Sequence, residues 1–222
     1  MSNDLITIDP EQQVSIYDDD AAFLALSKTA NSFLPRLQLF GAASGIVKEG
    51  KFPMSHWGLV TGKDEVTDLG KEVTVIPISV RFKAMDLSSG DILNYYNPNT
   101  PEFKSVQERS LEKDSQCMAG NEFLIWVPDC KSFATFYASN TSSKQEAPKI
   151  RALTGKAATF KSKFVKAKNG NSWHAPVVMP CSDSVTNLPS QEAVSATVED
   201  FRNPKDSEVT VAEGTNTGGR VQ

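Results

Sequence analysis

The chemistry-bearing residues of this 222-residue chain are mostly cations. Between Lys131 and Lys168 there are nine basic residues and one acid, Glu146, a local balance of +8. The basic residues are Lys131, Lys144, Lys149, Arg151, Lys156, Lys161, Lys163, Lys166 and Lys168. In an extended chain, Thr159, Lys161 and Lys163 alternate onto one face, and Phe160, Ser162, Phe164 and Lys166 onto the other. Cations at this spacing can follow a phosphate backbone; lysines on such a strand can equally keep a sheet edge solvated and unpaired. Aromatic residues are interleaved with them. Bases stack on aromatic side chains beside a basic groove, at about 1–3 kcal/mol per base. Trp126, inside FLIWVP, reads as core. In Tyr95-Tyr96 and Phe136-Tyr137 neighbouring side chains point opposite ways, so one of each pair leaves the core. Trp173 or His174 must share a face with the lysines. The surface candidates are Tyr95, Tyr96, Tyr137 and Trp173.

Other chemistries find little support. The chain has no Gly-x-Ser-x-Gly, P-loop, Gly-x-Gly-x-x-Gly or His-Glu-x-x-His motif. Glu72 and Asp91 stand alone rather than in a carboxylate cluster. Cys117, Cys130, Cys181, His56 and His174 include no close cysteine pair of the kind structural zinc sites use. The chain is therefore expected to be non-enzymatic, without metal or cofactor.

The formal net charge of −4 hides a segregation. Residues 1–32 carry −5, residues 33–182 carry +5 and residues 183–222 carry −4. No apolar run reaches the roughly 18–20 residues of a membrane helix, so no membrane association is expected. MSNDLITIDPEQQ is acidic and lacks the basic start of a secretory signal. Three cysteines suit a reducing compartment, and a cytoplasmic location is expected.

These shifts divide the chain in three. Residues 1–32 read as an acidic arm with a short helix over AAFLALSKTA, capped by Asp20. Residues 183–222 are poor in apolar side chains, with Phe201 the only aromatic, so a disordered acidic tail is expected. That tail leaves room only for a short amphipathic contact around Val194 to Phe201. Between them, residues 33–182 suffice for one core. Strands are expected at LPRLQLF (34–40), MSHWGLV (54–60), KEVTVIPISVRFKAM (71–85), DILNYY (91–96), EFLIWVP (122–128) and SFATFYA (132–138). Pro77 cannot donate to a ladder and marks an edge or a bulge. DLGKEV reads as a turn, supplied by Gly70, feeding a strand. SSKQEAPKIRALTGK (142–156) reads as a short helix. AATFKSKFVKAK and SWHAPVVM flank Asn169-Gly170, a strong hairpin signal. The expected fold is mainly β: an antiparallel barrel or sandwich, with an oligonucleotide-binding (OB) barrel carrying extra strands and one intercalated short helix as a natural candidate.

LPRLQLF, FPMSHWGLV, LGKEVTVIPI, EFLIWVP with KSFATFYASN, EAPKIRALTGKAATFKSK and WHAPVVMPCS together resemble bacteriophage single-stranded DNA-binding proteins of the OB type. The resemblance covers most of residues 34–182 and neither end. It implies coating of single-stranded DNA during phage replication and recombination, in the cytoplasm of an infected bacterial host. The implied contact surface is Lys/Arg with aromatics: Lys144, Lys149, Arg151, Lys156, Lys161 and Lys163. Lys166, Lys168, Tyr95, Tyr96, Tyr137 and Trp173 complete the candidate interface. The acidic tail is then a candidate dock for other phage replication proteins, although its last nine residues, GTNTGGRVQ, hold no acid and no aromatic. If the tail competes with DNA for the basic groove, deleting residues 183–222 should tighten binding. Two other readings fit the same sequence. One is a β-rich phage virion protein, a capsid decoration or tail component. The other is a strand-annealing recombination accessory protein assembled as a ring, and a homo-oligomer fits either.

Overall fold

The computed structural model describes residues 34–62, 65–89, 92–166 and 172–204. The expected helix over residues 21–30, the Asn169-Gly170 turn and Lys168 lie outside these.

Nine strands form one mixed sheet. They are β1 (Arg36–Leu39), β2 (Trp57–Val60), β3 (Val66–Gly70), β4 (Glu72–Asp86), β5 (Leu93–Tyr95), β6 (Cys117–Val127), β7 (Ser132–Ala138), β8 (Ala158–Lys166) and β9 (Ser172–Pro180). The spatial order is β3-β2-β1-β7-β6-β4-β8-β9, with β5 also on β4. Every pair is antiparallel except β1–β7, which is parallel. The hydrogen-bonded path begins at β3 and ends at β9, so the sheet is open and mixed rather than a closed antiparallel barrel. Among the described residues the α-helices are α1 (Gly45–Lys48), α2 (Pro101–Arg109), α3 (Thr141–Ala152) and α4 (Gln191–Arg202). None is long and apolar enough to cross a membrane.

The main core collects apolar side chains from most of the sheet. Leu37, Trp57, Leu59, Val75, Phe123, Ile125, Phe136, Phe160 and Val178 pack together with Ala147 and Ile150 of α3. Trp57, Phe136 and Phe160 meet edge-on, with ring centroids 5.3–5.9 Å apart. Gly70, at φ +80°, turns the chain between β3 and β4, as its position in DLGKEV suggests.

Helix α3 starts where Asn140 Oδ1 accepts the Ser143 amide at 2.9 Å. Pro148 therefore falls in its interior, where it lacks the amide that would bond the Lys144 carbonyl. Glu146 Oε2 accepts the Val178 amide at 3.0 Å, so α3 lies against the β9 edge and protects it from further pairing.

In the C-terminal segment the amphipathic contact expected around Val194 to Phe201 is present, as a helix within a stretch otherwise expected to be disordered. Ser190 caps α4 through its hydroxyl, which accepts from the Ala193 amide. Ala193 and Phe201 are buried with Ile78, Leu124, Trp126 and Phe133 on the outer face of the sheet, and Val194 and Val198 are partly buried there. Apolar residues at 193, 194, 198 and 201 follow helical spacing, so a polar segment still presents one stripe that a sheet can cover. The expected disorder therefore does not extend over residues 183–204. Deleting the chain from Asp183 removes a packed helix along with its charge.

Candidate nucleic-acid interface

Cations meet aromatics in two places. The first is the end of the β8–β9 ribbon. β4 pairs with β8 only from Glu72↔Lys161 to Val75↔Ala158, and the Ser162 amide then donates to the Lys71 carbonyl. Beyond that point the β8–β9 ladder runs on alone through Lys163↔Ala175, Phe164↔His174, Val165↔Trp173 and Lys166↔Ser172. These residues form a two-stranded arm.

Strand alternation fixes how the arm is dressed. Lys163, Val165 and Trp173 share the outer face; Phe164, His174 and Lys166 share the inner face, continuous with core residues Phe160 and Val178. Lys163 and Lys166 are exposed, and neither makes an ion pair with a described residue. Phe164 is 58 % exposed and Trp173 42 %. Neither ring is loose. The Trp173 indole N–H donates to Ser142 Oγ at 3.1 Å, tying it to the first turn of α3. The Phe164 ring lies 5.4 Å from that of His174, whose Nδ1 is 3.3 Å from the Ser162 hydroxyl. Lys144, exposed and unpaired among the described residues, sits two residues along α3 from Ser142.

The second place is the outer face of β4 and β6. A register shift between Pro77 and Ser79 reverses the facing of β4. Before it, Val73 and Val75 face the main core and Ile76 the outer face; after it, Val80 faces the core. Uninterrupted alternation would put Arg81 on the face of Val73 and Val75. The bulge instead turns Arg81 and Lys83 outward, opposite Glu122. Glu122 is only 3 % exposed and accepts from Arg81 Nε at 2.7 Å and Lys83 Nζ at 2.8 Å. The Arg81 guanidinium lies 4.1 Å from the Tyr96 ring centroid and 4.1 Å from that of Phe201, and also donates to the Phe201 carbonyl. The Tyr137 ring lies 5.5 Å from Lys83 Nζ, and its hydroxyl donates to the Lys83 carbonyl at 3.0 Å. Burial first, and then the Glu122 charge, push the Tyr137 hydroxyl far above the ordinary tyrosine range. This cluster is internally satisfied and roofed by α4.

The candidate residues therefore separate. Lys163, Lys166 and Trp173 come together on the arm, with Lys144 on the adjoining helix. Lys149 is bound by Glu146 at 2.9 Å and Arg151 by Asn121 Oδ1 at 2.6 Å. Lys161 pairs with Glu72 across the β4–β8 ladder at 2.9 Å. Lys156 is exposed after α3. Tyr95 packs half-buried against the α2 cluster of Ala84, Phe103 and Val106. Tyr96 and Tyr137 belong to the Glu122 network, so none of the three tyrosines is an open stacking platform. Phe164 was not among the surface candidates, although it lies on the core-facing side beyond the last core residue of β8. A strand that outruns its neighbour exposes even its inner face.

A groove of about 330 Å³ lies beside the base of the arm, lined by Glu72, Thr74, Asp129, Thr159, Lys161, Met179 and Asp183. Its three carboxylates against one lysine disfavour a polyanion at this end, while the cations lie toward the arm.

No protein-family model, curated protein or solved structure matches the chain.

Proposed function

We propose that the protein is a non-enzymatic, sequence-tolerant single-stranded DNA-binding protein of the phage replication and recombination type. One observation carries this reading. Lys163 and Lys166, which make no ion pair among the described residues, stand beside two braced, exposed aromatics on an arm that contributes little to the core. Such a surface offers phosphate neutralisation and base stacking without hydrogen-bond readout of sequence. The open sheet is proposed to be an OB-like frame. In support, β1, β2, β4, β6, β7, β8 and β9 all contribute to one core, with α3 inserted between β7 and β8. The sheet's use of a ribbon end departs from a closed barrel and leaves that end available to a ligand.

The test is titration of a fluorescent oligo-dT with the full chain at several salt concentrations. The reading predicts complex formation at low salt. The logarithm of the binding constant should fall with the logarithm of salt by about 0.7 for each phosphate neutralised. For Lys144, Lys163 and Lys166 together that is a slope of about −2. Absence of a complex at low salt contradicts the reading. A defined oligomer with no affinity for DNA supports the virion-component alternative instead.

A further inference from the structure

The two aromatics of the arm point to opposite sides, and so do Lys163 and Lys166. A ligand resting on the outer face meets Trp173 and Lys163; one resting on the inner face meets Phe164 and Lys166. The two edges of the arm also differ. α3 occupies the β9 edge, through Glu146 on the Val178 amide and Ser142 on the Trp173 indole. The β8 edge beyond Ser162 pairs with no described strand. Of the two edges, the β8 edge is the one along which a flexible chain can pass from one face to the other.

We infer that a single strand passes around the free β8 edge, stacking one base on Trp173 and a nearby base on Phe164, and that Phe164 thereby sets the preference for single-stranded over duplex DNA. This rests on the single-strand reading above. A single strand has rotatable backbone bonds and bases free to unstack. A duplex keeps its bases paired and has a persistence length of about 50 nm, so it cannot fold around a two-stranded ribbon. Duplex DNA can lie against one face at most and draw on one lysine there. Trp173 and Phe164 are held before binding, by Ser142 and by His174, which reduces the ordering cost of using both.

The experiment compares affinities for an oligo-dT and for a duplex of equal length at one salt concentration. It uses wild type, Phe164→Ala, Phe164→Tyr and Lys163→Glu/Lys166→Glu, with a melting curve for each. Phe164 is largely exposed, so its variants should melt as wild type does. The expected result is a loss on the order of tenfold in single-strand affinity for Phe164→Ala, with duplex affinity unchanged. Phe164→Tyr should keep the wild-type ratio, and the double lysine variant should weaken both ligands. If Phe164→Ala leaves the ratio unchanged while wild type binds oligo-dT, this inference fails and the single-strand reading stands. If wild type binds no oligo-dT, the single-strand reading fails and takes the inference with it.

Discussion

The β8–β9 arm and the Arg81–Glu122 face are built from the same parts, cations beside aromatics on neighbouring antiparallel strands, yet only one is open to a ligand. On the outer face of β4 and β6, a buried carboxylate engages both cations, and Tyr96, Tyr137 and Phe201 pack against them. On the arm no acid among the described residues pairs with Lys163 or Lys166, and the rings are braced with Phe164 58 % and Trp173 42 % exposed. Composition alone does not distinguish the two. The difference is whether a carboxylate faces the cations across the ladder, and whether a helix lies over the face.

Three stability predictions would break or sharpen this contrast. Glu122→Ala should have the largest effect. It leaves Arg81 and Lys83 largely buried without their counter-charge, at about 3–5 kcal/mol, or a melting-point drop on the order of 10 °C. A melting curve near that of wild type would mean the outer face is looser than described and could serve as a second interface. Phe201→Ala follows, at about 3 kcal/mol, because it removes both the apolar anchor of α4 and one ring against Arg81. Urea melts measure it directly, and a loss below about 0.5 kcal/mol would show that α4 does not hold the outer face closed.

The smallest of the three is pH-dependent. Burial alone would raise the Asp86 carboxyl, but hydrogen bonds from the Ser88 hydroxyl and amide and from Arg109 hold it at about 2, against an ordinary 3.8. A depressed folded-state value stabilises the fold above the ordinary value. The contribution is then lost as pH falls from about 3.8 toward about 2. Asp86→Asn should remove this part of the acid transition. Acid melts of the two proteins that superimpose would contradict the assignment.

Much of the fold is legible in the sequence because β-branched runs, Gly70 and the Pro77 signal act locally. Strands β1, β2, β5, β7 and β8 fall within expected segments; β4, β9 and helix α3 overrun theirs by one residue, and β6 begins five residues before the expected 122–128. What is not legible depends on partners. β3 reads as part of a turn because VTDLG has few apolar residues, and it exists by pairing with β2. α2 and α4 are polar segments whose few apolar residues matter only where a sheet face receives them. Alternation assigns relative facing up to the first bulge. The register shift at Pro77/Ser79 therefore carried Arg81 to the other side of the sheet. The candidate site shows the same limit. Lysine density marks the whole 131–168 block, but within it Lys149 pairs with Glu146, three residues away, and Lys161 with Glu72, 89 residues away.

The most direct test of the central claim, that the arm rather than the outer face meets nucleic acid, is the salt-dependent affinity of Lys163→Glu/Lys166→Glu for oligo-dT beside wild type. The arm reading predicts an affinity loss of about tenfold or more at low salt. It also predicts a salt slope shallower by about 1.4, with an unchanged melting curve. Equal affinity and equal slope in a variant that melts like wild type would contradict it.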